Sequence, residues 1–451
     1  MPIAIRSCVS VLLGLCVLCE ARADSRYERP PLMWSASVVP EALRKGPYHE
    51  IAPQVTSDGY FNNYFVKSQF GDFYVEGQQL LEIRIGELNA LAELDKLSSS
   101  KVFGDALVKS GKAAVMAPVH AVKKVAQTVS DPDKMVETLQ AVPEGAERLF
   151  SWAYKQVKGA AHAAADLVSS DSEKESDPKD KEDESSDSDE DKSSSTLKSG
   201  KSFGLRYLGY TKRERELFRK LHVSPYTSNQ TLQDEVVRVA GIETAVGFAF
   251  KFIPSVALLS QIGTFNTWYG RAEKLSLYED PAVIREKNKA ELRELGASDQ
   301  LAGEFQKNSA YTPWTRRFVV ASLTALGPSV EGRALFIQSA CLAKNEPTSL
   351  YFVSVAEHLE RVSKETPLKR VVSSLFIPAV VTKKGVLYVP LSVDYLFWTE
   401  EIASIFADFK KRVQSEEKFS GVEIHIRGKA SPLARKELKA LGAKVFENSW
   451  S

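Results

Sequence analysis

"GVEIHIRGKASPLARKELKALGAKVFE", Gly421 to Glu447, decides the fold class of this chain. Val422–Ile426 reads as a strand. Ser431 is a good N-cap, because its hydroxyl can accept from a free N–H of the first turn. Pro432 then stands at the first helical position, where a missing N–H costs nothing, and Gly442 ends the helix. "AKVFE" is extended again. Strand, helix and strand in this order make a βαβ unit, whose strands should be parallel with a right-handed crossover.

Upstream, "VVSSLFIPAVVTKKGVLYVPLSV" (371–393) alternates like strands around a Lys383-Lys384-Gly385 turn. A helix is expected from Tyr395 to Val413, with Trp398, Ile402, Ile405, Phe409 and Val413 on one face. Residues 366–451 are therefore expected to form an α/β domain. Residues 203–365 read as a helical block. Thr211-Lys212-Arg213-Glu214 has the form of a capping box. Residues 227–263 suggest one long helix or a broken pair, kinked near Pro254. "EGRALFIQSACLAK" and "PTSLYFVSVAEHLERVS" fit two more helices. Phe252–Gly270 is an uncharged stretch of 19 residues. Its Pro254, Gln261, Asn266 and Thr267 suit a buried soluble helix better than a spanning one.

Residues 24–100 read as a strand–helix region. "DGYFNNYFVKSQFGDFYVEG" (58–77) carries short aromatic strands, with turn signals at Ser57-Asp58-Gly59 and Phe70-Gly71-Asp72. A helix should follow from Gln78 to about Leu97, with Leu81, Ile85, Leu88, Leu91 and Leu94 in a stripe. Residues 101–168 suggest amphipathic helices with small apolar residues. Leu149, Ala153, Val157, Ala160, Ala164 and Leu167 would share one face. Such a face buries little area. Lys109, Lys112, Lys123, Lys124, Lys155 and Lys158 make this stretch a candidate surface for an anionic membrane or a protein partner. The fold class expected is a multi-part α+β chain.

Two segments read as unstructured or removable. Residues 169–202 form an acidic linker around a 171–191 run in which twelve of 21 residues are Asp or Glu and three are Lys. Like charges repel and nothing apolar is there to bury, so disorder is expected. Its calcium-loop likeness at Asp187–Asp191 fails, because Lys192 and Lys198 stand where Gly and Glu are needed. Residues 1–23 have a short positive start at Arg6, an apolar core from Cys8 to Cys19 and an Ala21-Arg22-Ala23 cleavage pattern. That is a secretory signal peptide, with Asp24 starting the mature chain. Removing it takes Arg6, Arg22 and Glu20 and leaves a net charge of zero. The acidic run contributes −9, so the rest of the mature chain is +9. Only Cys341 of the four cysteines remains, which excludes an internal disulfide and suits a bacterial periplasm.

Catalytic motifs are sparse. Arg427, Lys429 and Ser431 fall at the carboxyl end of a strand and the start of a helix, where an anion could sit on free N–H groups. No glycine-rich dinucleotide or phosphate loop supports them. Cys341 and His358 could be drawn as nucleophile and base, but Cys341 reads as a buried thiol on an apolar helix face. The six histidines are scattered and show no metal spacing, so no metal and no cofactor are expected. Asp394, Glu400 and Glu401 flank a helix start, where acids suit the dipole. Trp314–Phe318 mixes aromatic and basic groups, which alone is weak ground for nucleic acid. Asn229-Gln230-Thr231 is a formal glycosylation sequon.

The segments 58–77, "HVSPYTSN", "VDYLFWTEE" and "RGKASPLARKELKALG", in that order, resemble a family of exported bacterial envelope proteins with no assigned activity. The resemblance implies a periplasmic or envelope location and offers no catalytic residues. The expectation is a non-enzymatic binding protein acting at a membrane surface or on a protein partner. The alternative is a hydrolase-type enzyme with its site in the C-terminal α/β domain.

Overall fold

The computed structural model describes residues 26–98, 212–246, 263–414 and 418–450. The segments expected to be a signal peptide (1–23), small-residue helices with six lysines (101–168) and an acidic linker (169–202), together with Thr211 and Pro254, lie outside the described residues. The fold is α+β.

The N-terminal part is an antiparallel sheet. β1 (Met33–Trp34) leads through two single turns, α1 (Ser35–Val38) and α2 (Glu41–Arg44), to β2 (Lys45–Gly46), β3 (His49–Ile51) and β4 (Gln54–Ser57). Pro53 interrupts β3 and β4, which otherwise run along one edge of β5 (Asn62–Ser68). A proline has no N–H to give the ladder. β6 (Phe73–Glu76) pairs the other edge of β5, with Tyr64 opposite Val75.

α3 (Gln78–Ser98) follows as expected, and the five residues of its stripe are buried. It is the central helix of the molecule, packed on β5 and β6 and on helices that come much later. Its polar residues are enclosed too. Arg84 therefore pairs with Glu87 at 2.5 Å and donates to Ser228 at 2.8 Å. Thr227 donates to the other oxygen of Glu87.

The helical block comprises α4 (Lys212–Lys220), α5 (Gln230–Val246), α6 (Gly263–Lys274), α7 (Pro281–Glu294), α8 (Asp299–Lys307), α9 (Pro313–Ala325), α10 (Arg333–Ala340) and α11 (Glu346–Glu365). Three of these open on strong local signals. Asp280 caps α7 ahead of Pro281, Ser298 caps α8, and Thr312 with Thr315 makes a capping box ahead of Pro313 in α9. Asn229 caps α5 by accepting from Leu232 N–H, and it is 2% exposed. The sequon asparagine thus faces the core.

The C-terminal sheet contains β7 (Leu368–Ser374), β8 (Ile377–Thr382) and β9 (Val386–Leu391) as an antiparallel meander. β11 (Gly421–Ile426) then pairs β9 in parallel, and β13 (Ala443–Phe446) pairs β11 in parallel, with Val422 opposite Ala443. The order is β13-β11-β9-β8-β7. A two-stranded parallel pair, β10 (Tyr395–Leu396) and β12 (Lys429–Ala430), lies apart. Two crossovers share β11. One runs through α12 (Glu400–Gln414), the other through α13 (Pro432–Ala440). The helix expected over Tyr395–Val413 starts only at Glu400. Residues 394–398 are extended instead, because their backbone pairs with the N-terminal hairpin, β12 and Glu28.

Both faces of this sheet are covered. Ala379, Leu387 and Ile424 pack with Ile402, Phe406, Ala434 and Leu438 of α12 and α13. Val371, Val380 and Tyr388 face the other way and join a core that includes Phe336, Leu359 and the residues of α3. One core thus runs from the N-terminal helix through the helical block onto one face of the sheet, and a second lies between its other face, α12 and α13.

Candidate functional site

The site is built where the N-terminal hairpin meets the C-terminal sheet. Asp58 accepts from Tyr60 N–H at 3.0 Å and from Phe61 N–H at 2.7 Å, which folds the β4–β5 turn back on itself. Gly59 has φ +110°, a conformation that side-chain-bearing residues rarely adopt, and a Cβ there would press on the Thr399 methyl at 3.0 Å. The turn then docks on residues 394–397. Tyr60 O accepts from Asp394 N–H at 2.9 Å, and Gly59 O accepts from Phe397 N–H at 2.8 Å.

Beside this joint is a cavity of about 220 Å³. Leu391, Val393 and Leu396 form its floor, and Ile402 and Phe406 of α12 form one wall. Phe61, Tyr351 and Phe352 close the inner side. All of these except Tyr351 are under a tenth exposed. The cavity opens where Lys344, Asn345, Phe376 and Ile405 reach solvent. Lys344 is the one charged side chain in this lining among the described residues. An enclosed apolar space with a few polar groups at its rim is the usual form of a small-ligand site.

A second, much smaller cleft adjoins it across Phe61 and Tyr351. It measures about 10 Å³, room for about one water molecule. Glu76, Ser392, Asp394 and Arg427 border it. Burial lifts the Glu76 carboxyl to about 7, and the Asp394 charge adds to the shift. Burial also raises Asp394 to about 6, against the pull of its hydrogen bonds and of Arg427. Asp394 Oδ2 accepts from Asn62 N–H at 3.0 Å and from Gln78 N–H at 2.9 Å. It is therefore the cap of α3. Acids near residue 400 do suit a helix dipole, but the helix that Asp394 serves is α3 and not α12.

The three residues expected to bind an anion are not aimed at one point. Arg427 faces Glu82 of α3 at 3.5 Å. Ser431 is buried and caps α13 through Ala434 N–H at 2.9 Å, as its position in the sequence suggests. Its hydroxyl also donates to Glu28. Lys429 is exposed on β12. The anion beside the start of α13 is thus the chain's own Glu28, which also accepts from Trp398 N–H at 2.5 Å. The six lysines from 109 to 158, the expected membrane or partner surface, lie outside the described residues.

The remaining sequence candidates resolve into structure. Cys341 is half-buried at the end of α10, with its thiol pushed up to about 12 by burial. His358 is buried elsewhere, against Tyr388 OH at 2.6 Å and stacked on Trp450 at 4.1 Å. In the Trp314–Phe318 cluster, Trp314 donates to Leu277 O, Arg316 to Asn308 O, and Arg317 pairs with Glu291. Among the described residues no group of three or more His, Cys, Asp or Glu is placed to hold a metal ion. No described helix is long and apolar enough to cross a membrane.

The cavity itself had no signal in the sequence. Its walls come from the hairpin, the α10–α11 turn, α11, the β7–β8 turn, the sheet and α12, and no local pattern ties these six together. Comparison with known proteins returns no match: no family model fits the chain, and no curated protein or solved structure is similar to it.

Proposed function

We propose that this chain is an exported, non-enzymatic binding protein whose C-terminal α/β part takes up an apolar group. The observation that carries this reading is the cavity of about 220 Å³ between α12, the sheet and the hairpin. A dry cavity of about 150 Å³ is enough to bind benzene, so this one is large enough for a small ligand. The Lys-bearing stretch 101–168 would bring the protein to an anionic membrane or a partner, and salt-sensitive vesicle flotation of the full chain with and without that stretch tests this part.

The cavity is tested by titrating the full chain with N-phenyl-1-naphthylamine, a dye whose fluorescence rises in apolar surroundings and whose phenyl ring, of benzene's size, fits the cavity while its naphthyl group lies at the open rim by Phe376 and Ile405. Saturable binding is expected, and Ala343→Phe should abolish it, because Ala343 is 2% exposed and lines the cavity. Binding that persists unchanged in this variant would place the dye elsewhere and sink the reading.

A hydrolase remains the second reading, on one observation. Glu76, raised to about 7, borders a water-sized cleft next to the cavity and could exchange a proton at neutral pH. Loss of ester hydrolysis in Glu76→Gln would support it, and wild-type protein inactive on a panel of esters would remove it.

A further inference from the structure

We infer that the occupant of this cavity is a medium-length acyl chain, with its carboxylate or ester head at the rim beside Lys344. The inference rests on the reading that the cavity binds an apolar ligand, and it adds length, shape and polarity.

Length follows from volume. If benzene's six carbons occupy about 150 Å³, then 220 Å³ holds about nine carbons. Shape follows from the walls. The space runs between the sheet floor at Leu391 and Val393 and the α12 wall at Ile402 and Phe406, and those side chains offer no polar atom to orient a hydrogen-bonding ring. A flexible hydrocarbon needs none.

Polarity follows from the two ends. At the open end stand Lys344, Asn345 and Thr348. The inner side is closed by Phe61, Tyr351 and Phe352, where a charged head would lose its hydration without a partner. A head group therefore stays at the rim, where Lys344 offers a counter-charge, and the chain enters tail first. A cationic amphiphile of the same length would have to leave its charge beside Lys344.

The test displaces N-phenyl-1-naphthylamine from the full chain with carboxylates from hexanoate to hexadecanoate, and with alkylamines of matching length. Affinity should rise about fourfold per methylene, the worth of about 0.8 kcal/mol of apolar transfer, and flatten near nine carbons. Carboxylates should bind about fivefold tighter than amines, and Lys344→Glu should reverse that order, which is the scale of an exposed ion pair. Displacement by decanoate alone would identify the free acid as the source. Displacement also by phosphatidylglycerol vesicles would identify a lipid chain. If the dye binds in the cavity but affinity is flat with chain length, or acids and amines bind equally before and after Lys344→Glu, the acyl inference is overturned while the cavity reading stands. If the dye does not bind, both fall.

Discussion

Replacing Asp394 by Asn tests the joint that builds the site. The Asp394 carboxyl is lifted from 3.8 to about 6, chiefly by burial. Its folded value lies above its unfolded one. It therefore adds stability that is complete below pH 3.8 and is lost as pH rises through about 6. At 1.36 kcal/mol per unit the whole shift is worth about 3 kcal/mol. The residue keeps some exposure to solvent, so about 2 kcal/mol is the better expectation. An asparagine Oδ1 can still accept from Asn62 and Gln78 N–H, and it does not titrate. The two proteins should be of similar stability at pH 4, and the variant should be the more stable by about 2 kcal/mol at pH 8. Removing this charge also eases the Glu76 carboxyl, which the Asp394 charge helps to raise, so the effect works in the same direction. Urea unfolding at both pH values, with wild type and variant side by side, cancels the titration of other groups. A stability difference that does not change with pH would refute the claim that a buried, ionised Asp394 strains this joint. Asp394→Ala, in contrast, should cost about 2–4 kcal/mol at pH 4, because two enclosed N–H groups lose their acceptor, and about 2 kcal/mol less than that at pH 8, because it too removes the titrating carboxyl.

Three further perturbations follow from the packing. Arg84→Met leaves Glu87 enclosed without its 2.5 Å partner and should cost about 3–5 kcal/mol, read as a lowered urea midpoint. Gly428→Ala would place a Cβ 1.9 Å from the Asp394 carbonyl oxygen, backbone against backbone, and should cost about 3 kcal/mol or yield insoluble protein; normal expression and midpoint would contradict the close approach. His358 is held near 3 by burial and by the Arg361 and His425 charges, so its contribution is present above pH 6.5 and is lost as pH falls towards 3. His358→Phe should therefore remove up to about 2 kcal/mol of the wild type's loss between pH 7 and pH 5, seen by thermal melts at the two pH values.

What was legible in the sequence was local. Ser431, Pro432 and Gly442 announce a nine-residue helix from within it, and the helix is there. The stripe from Leu81 to Leu94 announces α3 in the same way. The helices that Asp280, Ser298 and Thr312 cap were not read from the sequence, although each cap is as local a signal as Ser431. What was not legible depends on pairs far apart in the chain. Asp394 caps a helix whose first residue lies 316 positions away, so its acid looked like part of the nearer helix start. The extended backbone of residues 394–398 is imposed by the hairpin and Glu28, which overrode a helical apolar period that runs through Trp398. Ser431 read as an anion site because a strand end and a helix start do attract carboxylates. The attraction is real, and a residue near the other end of the chain answers it.

The same long-range joint explains why the cavity exists. A βαβ helix normally lies flush on its sheet, closing the space beneath it. Here the tip of the β4–β5 hairpin is inserted beside the carboxyl end of β9, held by Tyr60 and Gly59 carbonyls on one side and by the Asp394 carboxylate on the other. Phe61 and Tyr60 thus become wall residues of the C-terminal cluster rather than of their own sheet. The α10–α11 turn, held by Asn308 donating to the Cys341 and Ala343 carbonyls at 2.9 and 3.0 Å, supplies the rim opposite. These two elements, braced by partly buried polar bonds, hold the walls apart, where apolar side chains alone would collapse on one another. A cavity kept open by such bonds is expected to survive removal of any single apolar lining residue, and to close when the bracing is cut. Asn308→Ala should therefore weaken dye binding with little change in the apolar lining, whereas Ile405→Val, at the rim, should leave binding within about twofold, the worth of a fraction of one methylene at a partly exposed position.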